Sequence, residues 1–203
     1  ELSPKTVTIA GDYRTFFDFN APSLPDGYVQ LAYIDTSTYQ SYINTGKYFS
    51  DLTNVRVVLE AEPLAIESNS YSSCPLFGDY RSSKSGTTYY ITTAYIKVYR
   101  DGVYTKIQSR SVNSSNGTKI SSDSTFRKML IDWNPQEGYA QVNDEPQVAI
   151  TALSSMSYNM YFNICGGTNL QSVGASCRVY SYKLYESGVL SQNMIPGPAE
   201  NFV

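Results

Sequence analysis

Apolar and polar residues alternate with a period of two over most of this chain. Nowhere do apolar residues recur at i, i+3, i+4 and i+7 for three helical turns, so an amphipathic helix has no place to form. In the run from Val55 to Glu62, one face carries Val55, Val57, Leu59 and Ala61 and the other carries Arg56, Val58, Glu60 and Glu62; Pro63 is expected to end it. Thr88–Tyr99 and Val103–Gln108 read as two strands joined across Arg100-Asp101-Gly102. Asp-Gly between β-rich runs is a hairpin signal because glycine accepts the positive φ of a tight turn. Phe126–Trp133, Tyr139–Val142, Tyr158–Ile164 and Arg178–Tyr185 read as further strands, with a second tight turn at Asn143-Asp144. Many short strands separated by turns predict an all-β sandwich or barrel.

The 203 residues suit one large domain, and a hydrophobic content of 41% is enough to fill its core. Charged residues make up 16% of the chain, and its net charge is −3. Nucleic-acid binding needs clustered lysine and arginine, so nucleic acid is not expected as a partner. No apolar run approaches the roughly 20 residues that span a bilayer, so membrane insertion is not expected either. The chain holds no histidine, which removes the commonest general base and metal ligand and excludes a Ser-His-Asp or Cys-His catalytic set. Cys74, Cys165 and Cys177 lack CxxC spacing, which argues against structural zinc.

Three segments stand apart. Residues 1–23 read as an N-terminal arm, with a short strand near Val7–Ala10 and an aromatic cluster of Phe16, Phe17 and Phe19, able to dock on its own domain or a neighbour. Ser109–Ser124 reads as an exposed loop and contains the sequons at Asn113 and Asn116. Residues 197–203 form a tail around Gly197-Pro198, and the first residue, Glu1 rather than Met, reads as a processed product or a fragment.

The stretch LPDGYVQLAYIDTSTYQSYINTG, from Leu24 to Gly46, resembles the opening of a concanavalin A-like (laminin-G-like) jelly-roll module. Three more blocks resemble that family in order: Pro75-Leu76-Phe77-Gly78; Ile131-Asp132-Trp133 followed by Tyr139 to Asn143; and Arg178-Val179-Tyr180-Ser181-Tyr182-Lys183-Leu184-Tyr185. The resemblance implies a two-sheet antiparallel jelly-roll sandwich over residues 24–196. In the opening stretch Tyr28, Leu31, Tyr33, Ile34, Tyr42 and Ile43 would serve mainly for packing. Modules of this kind occur in tailed-phage fibre proteins and in gut-bacterial surface proteins, mostly as non-catalytic adhesion units. The chain is therefore expected to be a virion structural protein of the fibre type, on the virion surface, binding host-surface glycan or a partner protein. A bacterial surface or secreted carbohydrate-binding module is the alternative. Other virion or cell-surface proteins and further copies of the chain, in a homo-oligomer, are its expected partners.

The same fold also hosts retaining glycan hydrolases, which need two carboxyls about 5–5.5 Å apart. Glu60 and Glu62 share a strand face, but Pro63 interrupts and Glu67 falls at an odd offset, so both read as a solvent face. Asp132 is expected to face water while Trp133 or Ile131 packs inside. No cofactor is expected. The relatives make a Ca²⁺ site conceivable, and Asp35, Asn44, Asp51 and Asn54 are the oxygen donors closest in sequence. Nineteen tyrosines, among them Tyr90, Tyr95, Tyr99 and Tyr104, suggest an aromatic–polar surface. Tyr71, Tyr80, Arg81 and Tyr89 are the candidate ligand contacts, with Tyr80 and Arg81 at a strand-to-loop junction. If Tyr158–Ile164 and Arg178–Tyr185 pair as a hairpin, Cys165 and Cys177 can lie opposite each other and form a bridge.

Overall fold

The computed structural model describes residues 4–9, 12–18, 33–35, 43–65, 73–85, 88–109, 117–123, 127–156, 159–165 and 176–196; for residues 4–9, 12–18, 35, 65, 73, 79–85, 88–93 and 108–109 the description is of the backbone. Among these residues there are fifteen strands and no helix. They are β1 (Pro4–Ile9), β2 (Asp12–Asp18), β3 (Ile34–Asp35), β4 (Ile43–Phe49), β5 (Val55–Ala65), β6 (Ser73–Ser85), β7 (Thr88–Tyr99), β8 (Gly102–Ser109), β9 (Thr118–Ser121), β10 (Met129–Asn134), β11 (Tyr139–Val142), β12 (Val148–Ala149), β13 (Met160–Ile164), β14 (Ser176–Glu186) and β15 (Val189–Pro196). A nine-stranded antiparallel sheet runs β1-β2-β15-β14-β5-β10-β11-β12 with β3 on β14, and a six-stranded sheet runs β4-β13-β6-β7-β8-β9. The alternation predicts an all-β sandwich or barrel and the resemblance implies a two-sheet sandwich; an all-β two-sheet sandwich is observed.

Alternation builds the core. Val55, Val57, Leu59 and Ala61 of β5 are all buried, as are Ile131 and Trp133 of β10. Facing them are Phe77, Ile96 and Phe162 of the smaller sheet. Phe77 lies edge-on to Trp133 at 5.5 Å and to Phe162 at 4.7 Å, a geometry that aligns ring edges with ring faces. Trp133 also needs a partner for its indole N–H once it is out of water. Its Nε1 donates to Thr105 Oγ1 at 3.0 Å, and that hydroxyl donates to the Tyr95 carbonyl at 3.0 Å, so one chain of bonds joins the sheets.

Several expectations are corrected. Pro63 does not end its strand: β5 continues to Ala65. Proline lacks the N–H a ladder needs, but β10 pairs with β5 only as far as Ala61, and β14 shifts register between Ser176 and Cys177, opposite Pro63. The missing donor therefore falls where one flank is unpaired. The segment read as a loop from Ser109 to Ser124 contains β9, which pairs with β8. Asn113 and Asn116 lie outside the described residues, as do Tyr28, Leu31, Tyr42, Glu67 and the tail. The strand foreseen near Val7 exists as β1, which with β2 forms a hairpin added to β15 at three residue pairs, Met194–Asp18 to Pro196–Phe16.

Cys165 and Cys177 form a disulfide with Cα atoms 6.4 Å apart. The hairpin proposed to bring them together is absent. β13 sits between β4 and β6 and β14 sits in the other sheet, so the bridge crosses the sandwich rather than a ladder. Cys74 is a buried free thiol whose pKa burial pushes up to about 12.

Candidate binding face

Each sheet turns one face outward, and the two differ in the side chains they carry. On the nine-stranded sheet each described carboxylate of β5 and β10 has its own cation. Lys128 pairs with Glu60 at 2.6 Å. Glu62 accepts from the Tyr180 hydroxyl at 2.6 Å, which raises that phenol's pKa, and Arg178 stands 3.5 Å away. Arg56 grips Asp132 with two bonds, Nε at 2.9 Å and Nη2 at 2.7 Å, and Tyr139 adds a third at 3.0 Å. The bond to Asp132 raises the Arg56 pKa. Cations also cover the tyrosines of this face: Lys128 over Tyr180 at 4.3 Å, Arg178 over Tyr33 at 4.7 Å, and Arg56 near Tyr185 at 5.3 Å.

Glu60 and Glu62 thus occupy the outward face, half-buried under their own cations. Asp132 faces out and Trp133 packs in, as the alternation predicts. A shallow basin of about 550 Å³ beside this face is lined by Arg127, Lys128, Asn143, Asp144 and Glu145. It is also largely self-satisfied: Arg127 binds Asp123 at 2.6 Å, Asn143 accepts from the Leu130 N–H at 2.9 Å, and Glu145 accepts from Ser121 at 2.7 Å.

The six-stranded sheet presents a different surface. Its register sets Asn44, Asn163, Gly78, Tyr95 and Lys106 in one row across β4, β13, β6, β7 and β8, of which Asn163 and Tyr95 are buried. Lys97 and Tyr104 form the next row on β7 and β8. Strands lie about 4.8 Å apart, so Asn163 to Lys106 spans roughly 14 Å. Tyr48 is 57% exposed and its ring meets that of Tyr161 at 5.8 Å. Asn163 is fully buried, and neither its amide nitrogen nor its oxygen has a hydrogen-bond partner. An unpaired buried amide costs about 1–3 kcal/mol, so such groups are rare in folded proteins.

Lys97 lies over the Tyr95 ring at 4.5 Å, and burial together with the nearby Lys106 charge pushes its pKa down to about 8. Burial lowers Lys106 as well. Toward the β7–β8 turn, Tyr99 stands edge-on to Tyr104 at 5.1 Å, Tyr104 donates to Asp101 at 2.7 Å, and Lys119 approaches both the Tyr104 ring and Asp101. Among the described side chains of this face, Asp101 at the hairpin tip is the carboxylate present.

Of the expected ligand contacts, Tyr80, Arg81 and Tyr89 fall within β6 and β7, and the strand-to-loop junction expected at Tyr80 and Arg81 is instead continuous strand to Ser85. Tyr80 pairs with Thr93, Arg81 with Thr92, and Lys84 with Tyr89 along β6 and β7. The side chains of Tyr80, Arg81 and Tyr89, and the whole of Tyr71, lie outside the described residues. Lys97, Lys106, Asn163, Tyr48 and Tyr161 were not singled out from the sequence. A signal for part of the set exists: in Tyr95-Ile96-Lys97-Val98-Tyr99 and Tyr104-Thr105-Lys106, tyrosine and lysine alternate with core residues. Of the possible Ca²⁺ donors, Asn44 accepts from the Gly46 N–H at 2.8 Å and Asp51 from the Thr53 N–H at 2.7 Å, both within local turns. The Asp35 side chain lies outside the described residues. No protein-family model, curated protein or solved structure shows significant similarity to this chain.

Proposed function

We propose that the chain is a non-catalytic adhesion or surface-decoration module that recognises glycan through the outer face of its six-stranded sheet. The exposed Tyr48 ring set against Tyr161 on that face carries this reading. The nine-stranded face spends its charges on itself. The six-stranded face offers tyrosines with flat apolar bodies and polar tips, flanked by lysines and amides, as sugar recognition requires. The ordered resemblance to concanavalin A-like modules supports a jelly-roll connectivity and a place on a virion or bacterial surface. The Cys165–Cys177 bridge favours a setting outside the reducing cytosol. That is compatible with a virion surface and gives weight to the secreted or cell-surface alternative.

A polysaccharide array probed with the intact protein and with Tyr48→Ala/Tyr161→Ala tests the reading. The intact protein is expected to bind a subset of glycans, and the double variant to lose at least about tenfold in affinity, the scale of one lost stacking contact. Binding that is absent for every glycan, or unchanged in the variant, rejects it.

A further inference from the structure

We infer that the sugar stacked on Tyr48 is an N-acetylhexosamine, whose amide carbonyl accepts a hydrogen bond from Asn44 Nδ2. This rests on the reading of that face as a glycan surface and adds the chemical class. β4 and β13 pair Tyr48 with Tyr161 and Asn44 with Asn163, so β4 uses four residues where β13 uses two. Two extra residues leave the alternation in phase, and Asn44 and Tyr48 both face outward and are exposed. Their rows are two residues of β13 apart, about 7 Å. A pyranose ring laid on Tyr48, together with the substituent at its C2, spans such a distance. The Tyr48 ring, tilted against Tyr161, offers its apolar face to the sugar body.

The bulge that places Asn44 is held from both sheets. Gly46 takes φ +72°, and its N–H donates to Asn44 Oδ1 at 2.8 Å. Thr45 Oγ1 donates to the Phe162 carbonyl, and the Thr45 carbonyl accepts from Gln192 Nε2 of the nine-stranded sheet at 3.0 Å. The bond from Gly46 fixes the Asn44 amide with its oxygen turned to the backbone. Its Nδ2 makes no hydrogen bond among the described residues and carries two N–H donors. A sugar hydroxyl would bring a proton that needs an acceptor in turn, whereas an amide carbonyl only accepts. A carboxylate also only accepts, but Lys47, the lysine of β4, is already bound to Glu186 at 2.6 Å.

The test is calorimetric titration of the full chain with chitotetraose and with cellotetraose, which share length and linkage and differ in acetamido or hydroxyl at C2. Asn44→Asp keeps the oxygen that Gly46 binds and removes the N–H donors; Tyr48→Ala removes the stacking ring. Chitotetraose is expected to bind at least about fivefold more tightly, the scale of one hydrogen bond. Asn44→Asp should abolish that preference and leave cellotetraose unchanged, while Tyr48→Ala weakens both sugars about tenfold. An unchanged urea midpoint for Asn44→Asp shows the bulge intact, and the comparison of the two sugars on the native protein decides even without it. Equal affinity for the two, or a preference that survives Asn44→Asp, overturns the acetamido assignment and leaves the glycan reading standing. Binding of neither oligomer overturns the inference, and the glycan reading then stands or falls by the polysaccharide array. Binding of both that ignores Tyr48→Ala overturns both readings.

Discussion

At the scale of single residues, Lys97 shows how a largely covered cation can be costly. Its folded pKa is about 8 against the ordinary lysine value of 10.5. Between those values the unfolded chain holds a proton that the folded chain has released. Stability therefore rises with pH through this window, and the penalty is full below pH 8. Lys97→Met is expected to raise the free energy of unfolding at neutral pH by of order 1 kcal/mol, with the gain fading above pH 10.5. Urea unfolding at neutral and strongly alkaline pH measures this; a variant less stable at neutral pH contradicts it. The tyrosine–lysine alternation was legible in the sequence. The depressed pKa was not, because it depends on how deeply a side chain is covered and on which charge lies diagonally across a ladder.

At the scale of elements, register explains what alternation left open. Gly78 has φ +110°, and a Cβ there would stand 2.0 Å from the Ala94 carbonyl oxygen and 2.6 Å from Tyr95 Cα. The β6–β7 pair shifts register between Pro75 and Phe77, just before this close approach. Gly78→Ala is expected to cost more than about 2 kcal/mol, since backbone must move to admit the methyl. Gly188, with φ +77° at the β14–β15 turn, has nothing within 4 Å of such a methyl. Gly188→Ala should cost only about 1 kcal/mol, from the left-handed backbone alone. Parallel chemical denaturation of both variants checks the ranking, and equal losses would show that steric approach at Gly78 does not matter. Similarly, β14 shifts register between Val179 and Ser181, so that Val179 and Tyr182 both turn inward while Arg178 and Tyr180 stay outward beside Glu62. Strict period two does not predict that pattern.

At the scale of the whole molecule, the Cys165–Cys177 bridge fastens one sheet to the other across 12 residues of sequence. Closing a loop of that length restricts the unfolded chain by about 3 kcal/mol on the loop-entropy estimate. Cys165→Ala/Cys177→Ala is expected to lose roughly that amount, seen as a lower urea midpoint at unchanged slope. An identical midpoint for the paired variant and the native protein would mean that the bridge does not restrain the unfolded chain. Cys74 should stay unalkylated in the folded protein in mildly alkaline buffer, because a thiol with a pKa of about 12 is protonated there.

Read alone, the sequence determines that the chain is all-β, where its tight turns at Asp101-Gly102 and Asn143-Asp144 lie, and which residues of β5 and β10 face the core. These follow from local rules: alternation of side chains, the backbone freedom of glycine, and the absence of any helical stripe. Partnership across the chain lies beyond local rules. That Cys165 meets Cys177 between sheets rather than within a hairpin follows from strand order. So does the closing of one outer face by Glu60–Lys128, Glu62–Tyr180 and Arg56–Asp132, while the other gathers Lys97, Lys106 and Asn163. The physical reason is that each strand's neighbours come from distant parts of the chain. Charge balance, desolvation and unsatisfied hydrogen bonds belong to those neighbours jointly and to no single stretch of sequence.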